Sequence, residues 1–305
     1  METLATQANN VEIFEKLYYE VSEFMNNFKP EFQQILLGKP RQRSFCRLSI
    51  EEIMTILIGY QLMGSRNFKS YYKEVVLQFH RREFPNIISY ERFISVSRVA
   101  LIPLCWFLKK RLQQSEPTQL YVVDSTVLRV CKNARIQRHR TFKDEAARGK
   151  TGSGWFYGFK LHLIINHLGE LMAIYLSPGN LDDRKGLKKM VHTLTGKLFG
   201  DKGYLSAQLF EELFSKGLEL ITTIRKNMKK PARSIVDSIL LRKRAVIETT
   251  NDLLKNSLNI EHSRHRSLDG FLNNTFGALI AYSFLPKKPH MRGVDLITNQ
   301  IISLH

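Results

Sequence analysis

The sequence predicts an α/β protein in which a mixed β-sheet is flanked by helices and is preceded by an all-helical N-terminal region. Two observations support this fold class. Up to residue 117 apolar residues recur at helical spacing, whereas from residue 118 short apolar runs of β type alternate with helical segments. A chain of 305 residues with 43% hydrophobic and 24% charged residues can form a packed core, which excludes collagen-like and largely disordered proteins.

Helical spacing of apolar residues first appears from Val11 onward. This first helix is expected to stop at Pro30, because proline lacks the amide hydrogen that the next turn requires. A second helix is predicted to begin at Ser49–Glu52, a spacing typical of a capping box, and to run to about Leu62, with Gly64 closing it.

Two further helices are predicted at about residues 68–80 and 89–113. A short helix, a turn and a helix that carries Arg92 and Arg98 are compatible with a helix-turn-helix that reads DNA. A helical bundle that only packs explains the same pattern, so both interpretations stay open at this point.

From residue 118 the predicted order of elements is β-β-β-α-β-α-β-α, which favours a mixed sheet with helices packed against it. The predicted strands cover residues 119–124, 158–166, 171–176, 197–199 and 218–224. The predicted helices cover residues 183–194, 206–216 and 234–258. We therefore expect a helical region over residues 1–117, an α/β domain over 118–290 and a C-terminal tail over 291–305.

The charge of the chain is strongly unbalanced, since 46 Lys and Arg residues stand against 28 Asp and Glu residues, a formal net charge of +18. Residues 121–305 carry +14 of this excess and residues 1–120 carry +4. The excess predicts a polyanionic partner, and nucleic acid is the first candidate because binding its phosphates releases counterions. A membrane-surface protein is the alternative, but it would need a basic amphipathic helix, and here the basic residues lie mainly in loops.

The cysteines and the apolar stretches predict the compartment. Cys46, Cys105 and Cys131 are odd in number and far apart, which is typical of free thiols in a reducing cytoplasm. The first residues lack the features of a signal peptide, and no apolar stretch reaches the ~20 residues of a membrane-spanning helix. The sequence thus predicts a cytoplasmic protein with no membrane partner.

Three carboxylates stand out in the basic half of the chain. Asp124 ends the first predicted strand, Asp201 follows the fourth, and Glu248 lies within the last predicted helix. Because ligands gather beyond the carboxyl ends of strands in open α/β sheets, the two aspartates are expected near a binding site. A carboxylate repels a phosphate unless a cation lies between them, and such oxygen ligands suit Mg²⁺.

Glu248 has two basic neighbours at helical spacing. Arg244 and Lys255 are predicted to share one helix face with Glu248, which would place a carboxylate between two cations. A surface ladder of ion pairs formed by Arg244, Glu248 and Asp252 explains the same spacing, and the pattern alone leaves both interpretations open.

Together these features resemble the DDE transposases of bacterial insertion sequences, whose catalytic domain is ribonuclease-H-like. The resemblance covers about residues 118–285. It is carried by Val122–Ser125, Gly154–His162, Ser177–Asp183, Gly200–Tyr204 and the spacing Arg244-x3-Glu248-x6-Lys255.

The resemblance implies a transposase that binds the terminal inverted repeats of its element and catalyses Mg²⁺-dependent DNA cleavage and strand transfer. Asp124, Asp201 and Glu248 would form the catalytic triad and bind two Mg²⁺ ions, for which Mn²⁺ is expected to substitute. Arg244 and Lys255 would hold the DNA backbone. The implied partners are double-stranded DNA of the element ends and target, and further copies of the chain in an end-pairing homo-oligomer at the nucleoid of a bacterial cytoplasm.

Other residues are weaker candidates. Lys160 and His162 share a strand face that would point to the site, although polar side chains are usual on a solvent-facing strand. Arg138 and Arg140 belong to a basic, mobile loop between the first two predicted strands, and Lys226 belongs to a similar basic run. A phosphate-binding arm is preferred for these segments over a merely solvated loop. For the acidic pair at residues 182–183, capping of the next helix is preferred over a further metal ligand.

Two other functions fit the same sequence. A host nuclease of the same fold would share the carboxylates but would lack a region that binds specific DNA ends. A non-catalytic basic DNA-binding protein, such as a repurposed transposase, would still bind DNA after the carboxylates are replaced.

Overall fold

The computed structural model describes residues 4–36, 47–65, 67–152, 154–224, 227–228, 232–261 and 265–294, with the side chains of the first helix described over residues 10–29. The chain divides into two compact units. The first unit comprises the residues up to Arg111 together with Leu254–Phe284. The second comprises Leu112–Leu253 together with the residues from Leu285 onward.

The elements of the N-terminal part are all helical. In chain order they are α1 (Leu4–Leu36), α2 (Ile50–Leu62), α3 (Phe68–Ser70), a π-helical turn (Tyr71–Val76), α4 (Leu77–Phe79), α5 (Tyr90–Val96), a 3₁₀ turn (Ser97–Ala100) and α6 (Leu101–Gln113).

The rest of the chain mixes strands and helices. In chain order the elements are β1 (Leu120–Cys131), a 3₁₀ turn (Asn133–Arg138), β2 (Ala147–Thr151), β3 (Gly154–Asn166), β4 (Leu171–Pro178), α7 (Asp183–Lys188), β5 (Gly196–Gly200), a 3₁₀ turn (Lys202–Tyr204), α8 (Ala207–Phe214), β6 (Leu218–Thr222), α9 (Ile235–Lys243), α10 (Val246–Asp252), a π-helical turn (Leu253–Ser257) and α11 (Leu268–Phe284).

Helix α1 does not stop at Pro30 but continues to Leu36, so the predicted stop is wrong. An interior proline costs a helix about 3 kcal/mol. Each large apolar side chain that becomes buried contributes about 1.5–3 kcal/mol, so several of them offset that cost. Buried side chains of α1 before the proline are Phe14, Leu17, Val21, Phe24, Met25 and Phe28.

The start of α2 confirms the predicted capping box. The Glu52 amide donates to Ser49 Oγ over 3.1 Å, and the Ser49 amide donates to Glu52 Oε2 over 2.7 Å. Gly64, just beyond the helix, has φ +62°, a conformation that favours glycine.

The predicted third and fourth helices are present, but both are interrupted, the third by a π-helical turn and the fourth by a 3₁₀ turn. Residues 80–89 connect α4 to α5. This connection is longer than the turn of three or four residues that defines a helix-turn-helix.

Helix α11 was not predicted, and it belongs to the first unit, where it packs against α2. The Gln61 side-chain amide donates to Asn274 Oδ1 over 2.8 Å across this contact. Residues 254–284 thus fold with the N-terminal helices, whereas the predicted α/β domain of residues 118–290 included them.

The second unit contains a six-stranded mixed sheet in the order β2-β3-β1-β5-β6, with β4 pairing the same edge of β3 as β2 does, further along the strand. Strand β3 is antiparallel to β1, β2 and β4, whereas β1, β5 and β6 are parallel. Side chains of the sheet, α7 and α8 form the hydrophobic core. The predicted fold class, a mixed sheet flanked by helices after a helical N-terminal region, is confirmed.

Several element limits differ from the prediction. Strand β2 lies in a segment for which the sequence predicts a loop, and the predicted helix over residues 234–258 is divided into α9, α10 and a π-helical turn. Among the described residues, no helix combines the length and the apolar character that crossing a membrane requires.

Candidate active site

Asp124 and Asp201 lie on neighbouring parallel strands. In the pairing of β1 with β5, Val122 is opposite Phe199. Asp124 follows Val122 by two residues and Asp201 follows Phe199 by two, so the register brings the two carboxylates to the same level of the sheet.

Asp124 was expected to end its strand, and this expectation is wrong. Strand β1 continues to Cys131, because β3 pairs with it along its length, from Tyr121 opposite Asn166 to Cys131 opposite Tyr157. The carboxylate therefore projects from the middle of a long strand.

Asp124 is held by a residue that the sequence reasoning missed. The Asn251 side-chain amide of α10 donates to Asp124 Oδ2 over 3.0 Å. Asn251 lies three residues after Glu248, on the same helix side. That spacing was the signal that could have identified it.

The charges of Asp201 and Glu248 both act on the Asp124 carboxyl. The pKa of Asp124 is raised to about 6, chiefly by burial and further by the negative charges of Asp201 and Glu248, against the opposing effects of a backbone hydrogen bond from Ser125 and of Arg244. Burial and the neighbouring like charges therefore make the ionised form of Asp124 unfavourable.

Glu248 and Arg244 form the ion pair that their spacing predicts. Arg244 Nη1 lies 3.4 Å from Glu248 Oε1, and the Glu248 side chain is 58% exposed. Because an exposed pair of this kind contributes little to stability, the carboxylate can exchange its partner at small cost.

Asp201 directly follows β5 and caps the 3₁₀ turn of residues 202–204. Its Oδ1 accepts a 2.7 Å hydrogen bond from the Gly203 amide, which fixes the direction of the carboxylate. Tyr204, at the end of this turn, is 1% exposed. Burial, followed by the charges of Asp124, Asp183 and Asp201, raises the pKa of Tyr204 well above its ordinary value, so the phenol is surrounded by carboxylates.

Asp182 and Asp183, the acidic pair at the start of α7, make different contacts. Asp182 caps the helix, accepting from the Arg184 amide over 2.9 Å, and its hydrogen bonds to Arg184 lower the pKa of Asp182 to about 2. This confirms the preferred capping interpretation. Asp183 instead connects the helix to the sheet, since its Oδ1 accepts from Ser125 Oγ over 2.9 Å and from Lys160 Nζ over 3.0 Å.

Lys160 and His162 are buried rather than exposed at the surface of the candidate site. Lys160 is 9% exposed and also donates to the Leu181 carbonyl over 2.9 Å. His162 is 0% exposed, and its Nε2 lies 2.9 Å from Ser177 Oγ. Burial lowers the pKa of His162 to about 4, so the ring is neutral at pH 7. The DNA contact of these two side chains stays a prediction, and in the structure both side chains are buried.

The carboxylates suit a divalent cation by their chemistry. All three are oxygen ligands, as Mg²⁺ prefers, and a shared cation would relieve the repulsion that raises the pKa of Asp124. Within the part of the chain that the structure describes, however, no three acidic, histidine or cysteine side chains are grouped closely enough to hold a metal ion.

The remaining predicted residues lie elsewhere. Lys255 belongs to the first unit and lies 3.2 Å from Glu261 in an ion pair. Arg92 and Arg98 are exposed in the helical unit. Arg138 and Arg140 are exposed in the segment between β1 and β2. Lys226 lies outside the described residues.

The segment between β1 and β2 is attached to the sheet at several points. The Asn133 side-chain amide donates to the Trp155 carbonyl over 2.8 Å, and Tyr157 Oη donates to the Phe142 carbonyl over 3.1 Å. The His139 ring stacks on Phe142 at 5.5 Å. A basic segment is thus fixed on the β2–β3 hairpin.

The mixed sheet aligns two aspartates on parallel strands, and a third carboxylate lies on a following helix. The transposase DDE domain family matches residues 114–268, just over half of the chain. The chain therefore belongs to this family, and it is a transposase by family. No curated protein matches the chain.

Among solved structures, the chain is similar to one described as a cryo-EM structure of the piggyBac transposase synaptic complex with hairpin DNA. The two share 12% sequence identity with a TM-score of 0.48, and the match covers 97% of this chain and 80% of that chain.

Proposed function

We propose that the chain is the transposase of a bacterial insertion sequence, which binds the terminal inverted repeats of its element and catalyses metal-dependent DNA cleavage and strand transfer. One observation carries the proposal: the register of β1 with β5 aligns Asp124 with Asp201, and Glu248 is close enough to raise the pKa of Asp124. Repelling carboxylates in a basic domain are best explained by cations that bind between them and a phosphate.

Asp124, Asp201 and Glu248 would hold two Mg²⁺ ions, or Mn²⁺ in their place. Bound there, the metal supplies activation of the attacking oxygen and charge neutralisation at the leaving oxygen. The chain itself orients the ligands. Asn251 fixes Asp124, and the Gly203 amide fixes Asp201.

In this proposal Arg244 binds two groups in turn, first the Glu248 carboxylate and then a DNA phosphate. In the absence of DNA it neutralises Glu248 over 3.4 Å. When Glu248 takes a metal ion, the guanidinium becomes available to a DNA phosphate, for which its planar fork of donors is suited. Lys255 would bind the backbone as well.

Exposed basic residues outside the carboxylate site would bind the DNA duplex. Arg138 and Arg140 lie on the attached segment between β1 and β2, and Arg92 and Arg98 lie in the helical unit. Lys226 belongs to the same proposal. Residues 1–117 would recognise the element end, residues 118–290 would carry out catalysis, and paired ends would be held by at least two copies of the chain, at the nucleoid in the cytoplasm.

The test uses a labelled duplex that carries the terminal inverted repeat flanking the gene, with Mg²⁺ or with EDTA. We expect nicking at the repeat boundary with Mg²⁺ alone, and a loss of at least about 100-fold in rate for Asp124→Ala, Asp201→Ala and Glu248→Ala, because each removes a metal ligand. DNA binding should persist in all three variants.

Lys216→Ala is the matched control, because Lys216 is paired with Glu212 over 3.2 Å on the surface of α8. It should cut at the wild-type rate. Binding without any Mg²⁺-dependent cut in the wild type would contradict the proposal and favour a non-catalytic DNA-binding protein. Cleavage without preference for the repeat would favour a host nuclease.

A further inference from the structure

A pocket with three arginines lies in the second unit, beside the helix pair that carries Glu248. Its volume is about 460 Å³. We call it the arginine pocket, and its lining residues are Thr223, Arg233, Ser238, Leu241, Arg242, Arg244 and Ala245. None of these lining residues is acidic.

Two of the three guanidinium groups have partners within the protein. Arg233 Nη2 donates to the Thr222 carbonyl over 2.8 Å, at the end of β6. Arg244 is tied to Glu248 at 3.4 Å. Arg242, at the end of α9, is exposed, and it has no carboxylate partner among the residues that the structure describes. The pocket thus carries three positive charges against one carboxylate at its border.

Gathering like charges in one pocket is unfavourable unless an anion compensates them. Guanidinium groups match the oxygens of a phosphate with paired hydrogen bonds, and the hydroxyl of Thr223 provides a further donor. We propose that the arginine pocket binds one phosphate of the DNA backbone. The proposal rests on the proposed function, and it adds a phosphate-binding site formed with Arg233 and Arg242.

The position of the pocket predicts which phosphate it binds. Arg242 precedes Glu248 by six residues, across the turn between α9 and α10, and a helical rise of about 1.5 Å per residue gives roughly 9 Å as the scale of their separation. Successive nucleotides of one strand are spaced by about 3.4 Å along the duplex axis. The bound phosphate therefore lies about two or three nucleotides from the phosphate that is cut.

The experiment replaces single phosphates of the repeat-end duplex by neutral methylphosphonates, one position at a time, and measures the affinity of the full chain. For the wild type we expect a loss of roughly tenfold at the phosphate two or three nucleotides from the cut. Arg242→Ala should weaken binding of the unmodified duplex by a similar factor and reduce the salt slope by about 1.

The decisive result is the combination of the two changes. With Arg242→Ala, the methylphosphonate at that position should cause no further loss, whereas Lys216→Ala should keep the wild-type response at every position. Arg233→Lys, which keeps the charge but loses the fork of donors, should give an intermediate loss. Melting temperatures equal to the wild type establish that the variants are folded.

An identical methylphosphonate profile for the wild type and Arg242→Ala would overturn the proposal, whether or not the DNA is cut. Failure of the proposed function gives a different result. In that case the wild type does not nick the duplex with Mg²⁺, while the coupling between Arg242 and one phosphate remains.

Discussion

At the scale of single residues, the candidate site contains a carboxyl group, that of Asp124, whose charged form the fold disfavours. Burial raises the pKa of Asp124, and the negative charges of Asp201 and Glu248 add to that effect. A folded protein that keeps such repulsion without a cation loses stability. The repulsion is therefore measurable in the metal-free protein.

Asp124→Asn is expected to stabilise the metal-free protein at pH 7, by up to about 3 kcal/mol in the free energy of unfolding. The folded-state pKa of Asp124, about 6, lies above its ordinary value of 3.8. Between these values the folded state binds more protons than the unfolded state, so the contribution of Asp124 to stability falls as the pH rises from about 4 to 6.

The measurement is urea denaturation of both proteins in EDTA between pH 4 and 8. His162, whose pKa is lowered to about 4, acts in the opposite direction, since its contribution is lost as the pH falls from 6.5 to 4. The difference between the two proteins removes that effect. A difference that is constant with pH would contradict the assigned environment of Asp124.

At the scale of elements, the predictions that succeeded depended on local pattern. The capping box of α2, and Asp201 after a strand, follow from neighbouring residues alone. The role of Asp183 and the contact of Asn251 with Asp124 join residues that are 58 and 127 positions apart in the chain. Contacts between residues so far apart leave no periodic pattern in the sequence. These hydrogen bonds around the carboxylates could therefore not be predicted.

The same distinction explains the mistakes in element limits. Strand β1 extends past Asp124 because β3 pairs with it, and α11 is stabilised by its packing on the N-terminal helices. Both are tertiary effects that override the local sequence. Of the candidate site, the ion pair of Arg244 with Glu248 could be predicted from the spacing, whereas the buried position of His162 could not.

Helix α7 provides an element-scale prediction, because it passes very close to β3. A Cβ atom added at Gly186 would lie 2.6 Å from His162 Cε1. Since His162 is fully buried, the ring cannot move aside, and Gly186→Ala should destabilise the protein by about 1–3 kcal/mol. Urea denaturation measures this change.

Gly152→Ala is the matched control for this substitution, because an added Cβ there meets nothing within 4 Å. It should leave the denaturation midpoint unchanged to within experimental error. If Gly186→Ala were as stable as Gly152→Ala, the close packing of α7 on His162 would be refuted.

At the scale of the whole molecule, the net charge of +18 is the property from which we infer the kind of partner that the chain binds. Most of the excess lies after residue 120, in the part of the chain that contains the three carboxylates, the arginine pocket and the basic segment between β1 and β2. The phosphates of a DNA duplex are a partner that would explain basic groups together with carboxylates. A lipid surface would not need carboxylates among them.

The two partners differ in a measurable way. If the charge serves a duplex with six to ten phosphate contacts, the affinity for repeat-end DNA should fall by about 10³- to 10⁵-fold between 50 and 200 mM salt. The chain should show no comparable affinity for anionic vesicles, because insertion of an apolar helix face adds most of the binding energy of surface helices. The opposite result would be a DNA affinity that depends only weakly on salt, together with tight binding to anionic vesicles. It would indicate that the positive charge serves to bind a membrane surface, and it would contradict a DNA phosphate as the substrate of the carboxylates.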